Sequence, residues 1–132
     1  IRYYIDDNFL NFWFRFIYKY RSAVEISNLG FIRQVVERDY NTYIGRILEK
    51  YFRDQLILYK ECSAIGSYWE NGNKNEIDIV AVDEFNKRMV IGEVKHNPNE
   101  INLGTLEYKA KNIAASHKKY TIEYKGFSHD DM

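Results

Sequence analysis

Three ionisable side chains stand where a strand should be apolar. Asp78 interrupts Asn-Glu-Ile-Asp-Ile-Val-Ala-Val (75–82), and Glu93 and Lys95 interrupt Met-Val-Ile-Gly-Glu-Val-Lys-His (89–96). Charges placed there are costly unless they are paired or bound to a metal. Two carboxylates from neighbouring strands can share a hard cation such as Mg²⁺, which takes oxygen ligands and keeps several of its waters. Lys95 lies two residues beyond Glu93 and therefore on the same face of the strand, within reach of a water or a phosphate oxygen. A second reading is a salt-bridged surface hairpin, Asp78 or Glu93 with Lys95. The spacing alone leaves both open.

The elements that must carry these groups follow from periodicity. Ile77, Ile79 and Ala81 alternate with Glu76, Asp78, Val80 and Val82, which is strand spacing. Asp83–Arg88 is a polar connection of hairpin length, and Ile91, Glu93 and Lys95 alternate with Val90, Gly92 and Val94 on the returning strand. A short strand is predicted over 65–70, with Asn71-Gly72-Asn73-Lys74 as the turn into the hairpin. Asn97-Pro98-Asn99 stops the second hairpin strand and starts a helix over about 100–116, whose apolar face is Leu103, Leu106, Ala110, Ile113 and Ala114. Residues 119–127 read as a last strand.

Upstream, 31–59 is helical, with a break expected near Asp39–Thr42, where short polar residues can cap a second helix. Tyr43, Ile44, Ile47, Leu48, Tyr51 and Phe52 form its stripe. Glu49 lies beside that stripe, one turn after Gly45, and a glycine there lets another backbone approach. Glu49 is either part of a site or ion-paired with Arg46 or Arg53. Residues 22–30 read as a connection ending in Gly30. Asp6–Tyr20 forms a helix capped by Asp6, Asp7 and Asn8 and apolar nearly all round. Its aromatics are either core or a docking surface for an upstream domain or a second copy of the chain.

Composition narrows the class. The chain has 132 residues, enough to bury a core, and 45% hydrophobic content separates it from disordered sequences. No apolar run approaches the roughly 18–20 residues of a membrane span. Cys62 is the lone cysteine, so an internal disulfide and a multi-cysteine zinc site are excluded and a reducing cytoplasm is expected. Nineteen basic residues balance nineteen acidic ones, so nucleic-acid binding must rest on a local patch. Lys109, Lys111, Lys118, Lys119 and Lys125, interleaved with Tyr108, Tyr120 and Tyr124, are that patch if one exists; otherwise they are a solvated face. His96, His117 and His129 have no metal-ligand spacing, and no glycine loop of phosphate-binding type is present.

Asp78, fourteen residues, then Glu93-Val94-Lys95, on a hairpin, resembles the core of the PD-(D/E)XK nuclease superfamily. The restriction-endonuclease-like core has the order α-β-β-β-α-β, with an acidic residue on the first helix, Asp on the second strand and Glu-x-Lys on the third. Glu49, Asp78, Glu93 and Lys95 fall on those elements. The stretch from Tyr4 to Phe16 looks like the segment that follows the ATPase and winged-helix domains of archaeal-type P-loop (AAA+) ATPases of prokaryotes, whose C-terminal domain is nuclease-like. The resemblance implies an aromatic N-terminal segment, residues 1–30, leading from an upstream ATPase that would hold any ATP, and a nuclease-like domain over 31–132. The start at Ile1 fits that expectation. It further implies Mg²⁺ or Mn²⁺ on Asp78, Glu93 and the Val94 carbonyl, with Glu49 acting through a second metal or a water, and DNA as substrate. Members of such families often lose catalytic residues; here all four positions hold the expected type. The rival is an inactive module that docks on its ATPase or forms homo-oligomers.

Overall fold

The computed structural model describes residues 3, 5–60 and 62–132. Tyr4, where the N-terminal resemblance begins, lies outside them. The chain forms two compact units, Ile1–Ile44 and Gly45–Met132.

The first unit is helical. Asp7 caps α1 (Asn8–Phe12), accepting from the Leu10 amide at 2.9 Å. From Trp13 to Tyr18 the predicted α-helix widens into a π-helix. Such wide turns shift the rows of side chains and are rare outside functional or strained segments. α2 (Arg21–Glu25) follows where a plain connection was expected. Phe16 is fully buried, with Phe12 and Tyr43 ring centroids at 4.9 and 5.4 Å. The Tyr43 hydroxyl donates to the Asn8 carbonyl at 3.3 Å, fastening the start of α1.

α3 is one continuous helix, Leu29–Leu58, and Gly30 lies inside it rather than ending a connection. The break expected near Asp39 does not occur. The Asp39 carboxylate accepts two bonds of 2.9 Å from the Arg38 guanidinium, so it is not free to cap a new helix. Nor does another backbone approach Gly45, where an added Cβ would meet nothing within 4 Å.

The second unit is a mixed α/β domain. A four-stranded sheet has the order β1 (Ala64–Glu70), β2 (Lys74–Asp83), β3 (Arg88–Val94), β4 (Thr121–Phe127). The first two pairings are antiparallel and β3–β4 is parallel. A parallel neighbour needs a crossover, which α4 (Leu103–Lys109) and α5 (Lys111–Ser116) supply. Helix, three strands, helix and strand thus follow in the expected order. Gly72 and Asn73 both adopt positive φ, as a tight hairpin turn between Glu70 and Lys74 requires.

Both faces of the sheet are covered. Ile77, Met89 and Ile91 pack with Leu106, Ala110 and Ile113 of the crossover helices. On the opposite face the Phe52 ring of α3 meets Phe127 at 5.0 Å. The crossover differs from its sequence reading. Pro98–Glu100 is a short 3₁₀ turn, Ile101 is extended, and Asn102 rather than Asn97 caps α4 by accepting from Thr105. The cause is packing: Ile101 lies against Gly126, where a Cβ would fall 2.5 Å from its methyl group. The helix then kinks at Ala110, which is completely buried.

Candidate functional site

Asp78 stands at an irregularity in β2. Gly66 faces Val80 and Tyr68 faces Ile77, so Asp78 and Ile79 together oppose Ser67. One extra residue of this kind bends a strand and re-aims its side chain. On the other flank, the β2–β3 register runs from Asp83↔Arg88 to Ile79↔Gly92 and goes no further. Where the ladder stops, the Asp78 carboxylate takes over as acceptor: Val94 N–H donates to its Oδ2 at 2.8 Å.

Glu93 lies on β3, half-buried, and its Oε2 accepts from the Asn102 amide at 3.3 Å. Lys95 follows the strand, with its amide bonded to the Phe127 carbonyl at 3.0 Å. The charges that act on Asp78 come from the end of β3 and from α4. Burial pushes the Asp78 carboxyl up; the Val94 bond and Lys95 oppose this, Glu93 adds to it, and Lys109 of α4 opposes it. Glu49 of α3 feels the charge of Asp78 in turn. Its carboxyl is pushed up to about 7 by burial first and by Asp78 second, against the pull of Arg53 and Arg46. No ion pair within 4.0 Å joins Glu49 to either arginine among the described residues.

Asp78 thus feels the charges of Glu93, Lys95 and Lys109, and Glu49 feels that of Asp78. Sequence reasoning grouped Lys109 with the basic helix end. Its position beside Leu106 and Ala110, both on the buried stripe, is the signal that it turns towards the sheet. Asn102 was missed because it lay inside the expected helix. The lysine patch itself divides: Lys118 and Lys119 sit at the far end of the strands, and Lys125 rests its ammonium 5.1 Å from the Phe127 ring. His96 and His129 stack at 5.1 Å, and His129 also bonds the His96 carbonyl.

Among the described residues, no three His, Cys, Asp or Glu side chains stand together closely enough to hold a metal by themselves. The candidate donors, the Asp78 and Glu93 carboxylates, offer oxygen alone, which is the chemistry of a hard cation. These residues fit Mg²⁺ or Mn²⁺ in donor chemistry.

Fold and site define a mixed α/β domain with carboxylates and lysines gathered where two strands part. The chain belongs to the DUF234 family, archaea bacterial proteins of unknown function, which it matches over residues 13–113. It is 36% identical over 101 residues to an uncharacterized protein of Methanocaldococcus jannaschii, covering 71% of this chain and 22% of that protein. The chain thus spans about a fifth of the length of the curated relative it matches. No solved structure matches. No described helix is long and apolar enough to cross a membrane.

Proposed function

We propose that residues 45–132 form a restriction-endonuclease-like domain that hydrolyses DNA phosphodiester bonds with Mg²⁺ or Mn²⁺. The observation that carries this reading is a half-buried Asp78 carboxylate that accepts from Val94 N–H where β2 and β3 part, feels the charges of Glu93, Lys95 and Lys109, and itself acts on Glu49. Asp78, Glu93 and the Val94 carbonyl would hold the cation, and Glu49 would act through a second cation or a water. When bound, the cation supplies charge neutralisation at the scissile phosphate and a more acidic water. Lys95 orients the attacking water and offsets negative charge gathering on the phosphorus oxygens. Glu49, whose proton affinity lies near neutrality, is suited to take a proton from that water. Lys109 adds positive charge on the helix side.

The M. jannaschii relative is several times longer than the match, which leaves room for the ATPase that we place beside this domain. A second reading is that the chain serves as a docking or oligomerising module. It rests on Phe9, Phe14 and Tyr18 of the first unit, which are 72%, 43% and 44% exposed. The test is cleavage of supercoiled and branched DNA with and without Mn²⁺. Cation-dependent cleavage that is lost in Asp78→Asn and Lys95→Ala supports the nuclease. Absence of cleavage, or cleavage indifferent to both substitutions, ends it.

A further inference from the structure

Lys87, Ser116, His117, Lys118, Lys119 and Tyr120 line an open groove of about 530 Å³. Chain path fixes where it lies. Lys87 ends the β2–β3 turn and its carbonyl accepts from the Thr121 amide at 2.8 Å, while Tyr120 N–H bonds the His117 carbonyl at 3.0 Å in the turn that enters β4. Both β3 and β4 start here, and Glu93 is five residues further along β3, roughly 17 Å away at about 3.3 Å per residue. The groove is therefore separate from the carboxylate site.

Its charge is unbalanced. Among the described residues, no acidic side chain pairs with Lys87, Lys118 or Lys119 within 4.0 Å. Lysines just after a helix are ordinarily accounted for by the unbonded carbonyls of its last turn. Part of that role is already taken at α5: Ser116 Oγ donates to the Asn112 and Ile113 carbonyls at 3.1 and 3.0 Å, His117 Nδ1 lies 2.9 Å from Ile113 O, and His117 N–H donates to the Ala114 carbonyl at 3.2 Å. Lys87 comes from a different element and holds its ammonium 5.3 Å from the Tyr120 ring centroid. It does so from a backbone with φ of +54°, a conformation that costs a non-glycine residue energy and tends to mark functional positions. The His117 ring tilts against Tyr120 at 5.2 Å. The groove thus joins an aromatic pair, His117 and Tyr120, with lysines from two elements.

We propose that this groove binds a phosphate-bearing ligand. Lysine ammoniums are compact point charges that suit phosphate oxygens. Both a nucleic-acid backbone and a free oligophosphate present that chemistry. The proposal does not rest on the nuclease reading, since no residue is shared with the carboxylate site.

Backbone amide resonances of the whole chain should be followed during titration with inorganic pyrophosphate and, separately, with a short single-stranded oligodeoxynucleotide, both without divalent cations. Saturable shifts centred on Lys87 and residues 117–121 are expected. Lys87→Gln and Lys118→Gln should each weaken binding about tenfold, the change expected from losing one charge-assisted contact. Comparable affinity for both probes would assign a small-phosphate site. Much tighter binding of the oligonucleotide, with a log–log salt slope of about 0.7 per contacted phosphate, would assign a backbone site. No saturable binding of either probe overturns the proposal. So does binding that Lys87→Gln leaves unchanged, or shifts centred on Lys95 and Lys109.

Discussion

Replacing Glu49 by glutamine should change how the stability of this protein depends on pH. The Glu49 carboxyl has an ordinary value of 4.5 and is pushed up to about 7 in the fold. Between those values the folded state binds the proton more tightly than the unfolded state, so stability falls as pH rises through that window. Below it the carboxyl is neutral in both states; above it the carboxyl is charged in both and the full cost is felt. The interval corresponds to about 3.4 kcal/mol at most. Solvent reaches the half-buried carboxyl, which reduces the expected effect to about 1–2 kcal/mol. Glu49→Gln keeps the shape and removes the charge, so its stability should exceed the wild type's by that amount at about pH 8 and match it near pH 4.5. Urea unfolding across the window, with the Glu49 carboxyl carbon followed by NMR, measures both quantities. Saturating Mg²⁺ should narrow the gap, since 100 times the dissociation constant contributes about 2.7 kcal/mol to a folded state that alone binds the ion. Parallel stability curves, with a carboxyl titrating near its ordinary value, would refute the claim that burial and the Asp78 charge raise the proton affinity of Glu49.

Three further outcomes are expected. Asp78→Asn keeps an oxygen acceptor for Val94 N–H and removes a half-buried charge, so metal-free melting should hold or rise while any Mn²⁺-dependent rise in melting temperature disappears; a fall of several degrees without metal would favour a structural salt bridge. Gly126→Ala places a methyl 2.5 Å from Ile101 Cγ2, whose branched side chain has little room to retreat. It should cost about 1–3 kcal/mol in denaturant titration; a neutral result would mean that the Ile101 segment shifts freely. Replacing both Phe9 and Phe14 by serine should abolish concentration-dependent self-association in sedimentation if the exposed aromatics mediate it, and wild type sedimenting as a monomer at every concentration would dismiss that surface.

The strands of the second unit and their order were legible because alternation and turn residues are local signals. Ile77 to Val82, the Gly72-Asn73 turn and the Pro98 stop each announce themselves within a few residues. What escaped depended on partners distant in sequence. Arg38 occupies the Asp39 carboxylate, and only that contact distinguishes a continuous helix from a capped break. Ile101 is held extended by the space at Gly126, so the crossover helix starts later than its periodicity suggests. The π-turn at Trp13–Tyr18 leaves no mark in a segment already apolar on every side. For the candidate site, the residue types and their strands could be read in advance. The slipped register at Asp78 and the approach of Lys109 could not, because alternation counts residues along one strand and not across a sheet.

That slipped register also works as a phase shifter. Ile77 joins Met89 and Ile91 in the core although it is an odd number of positions from Val80, which packs against the same cluster. Ordinary alternation would send Ile77 and Val80 to opposite faces. The surplus residue lets β2 bury apolar side chains before and after Asp78 while turning the carboxylate into the gap. Deleting Ile79 would heal the ladder, and it would do so by tying the aspartate to the hydrophobic rhythm of its strand. A relative whose spacing between the aspartate and the Glu-x-Lys differs by one residue would therefore be mechanically different at this point, however similar its composition.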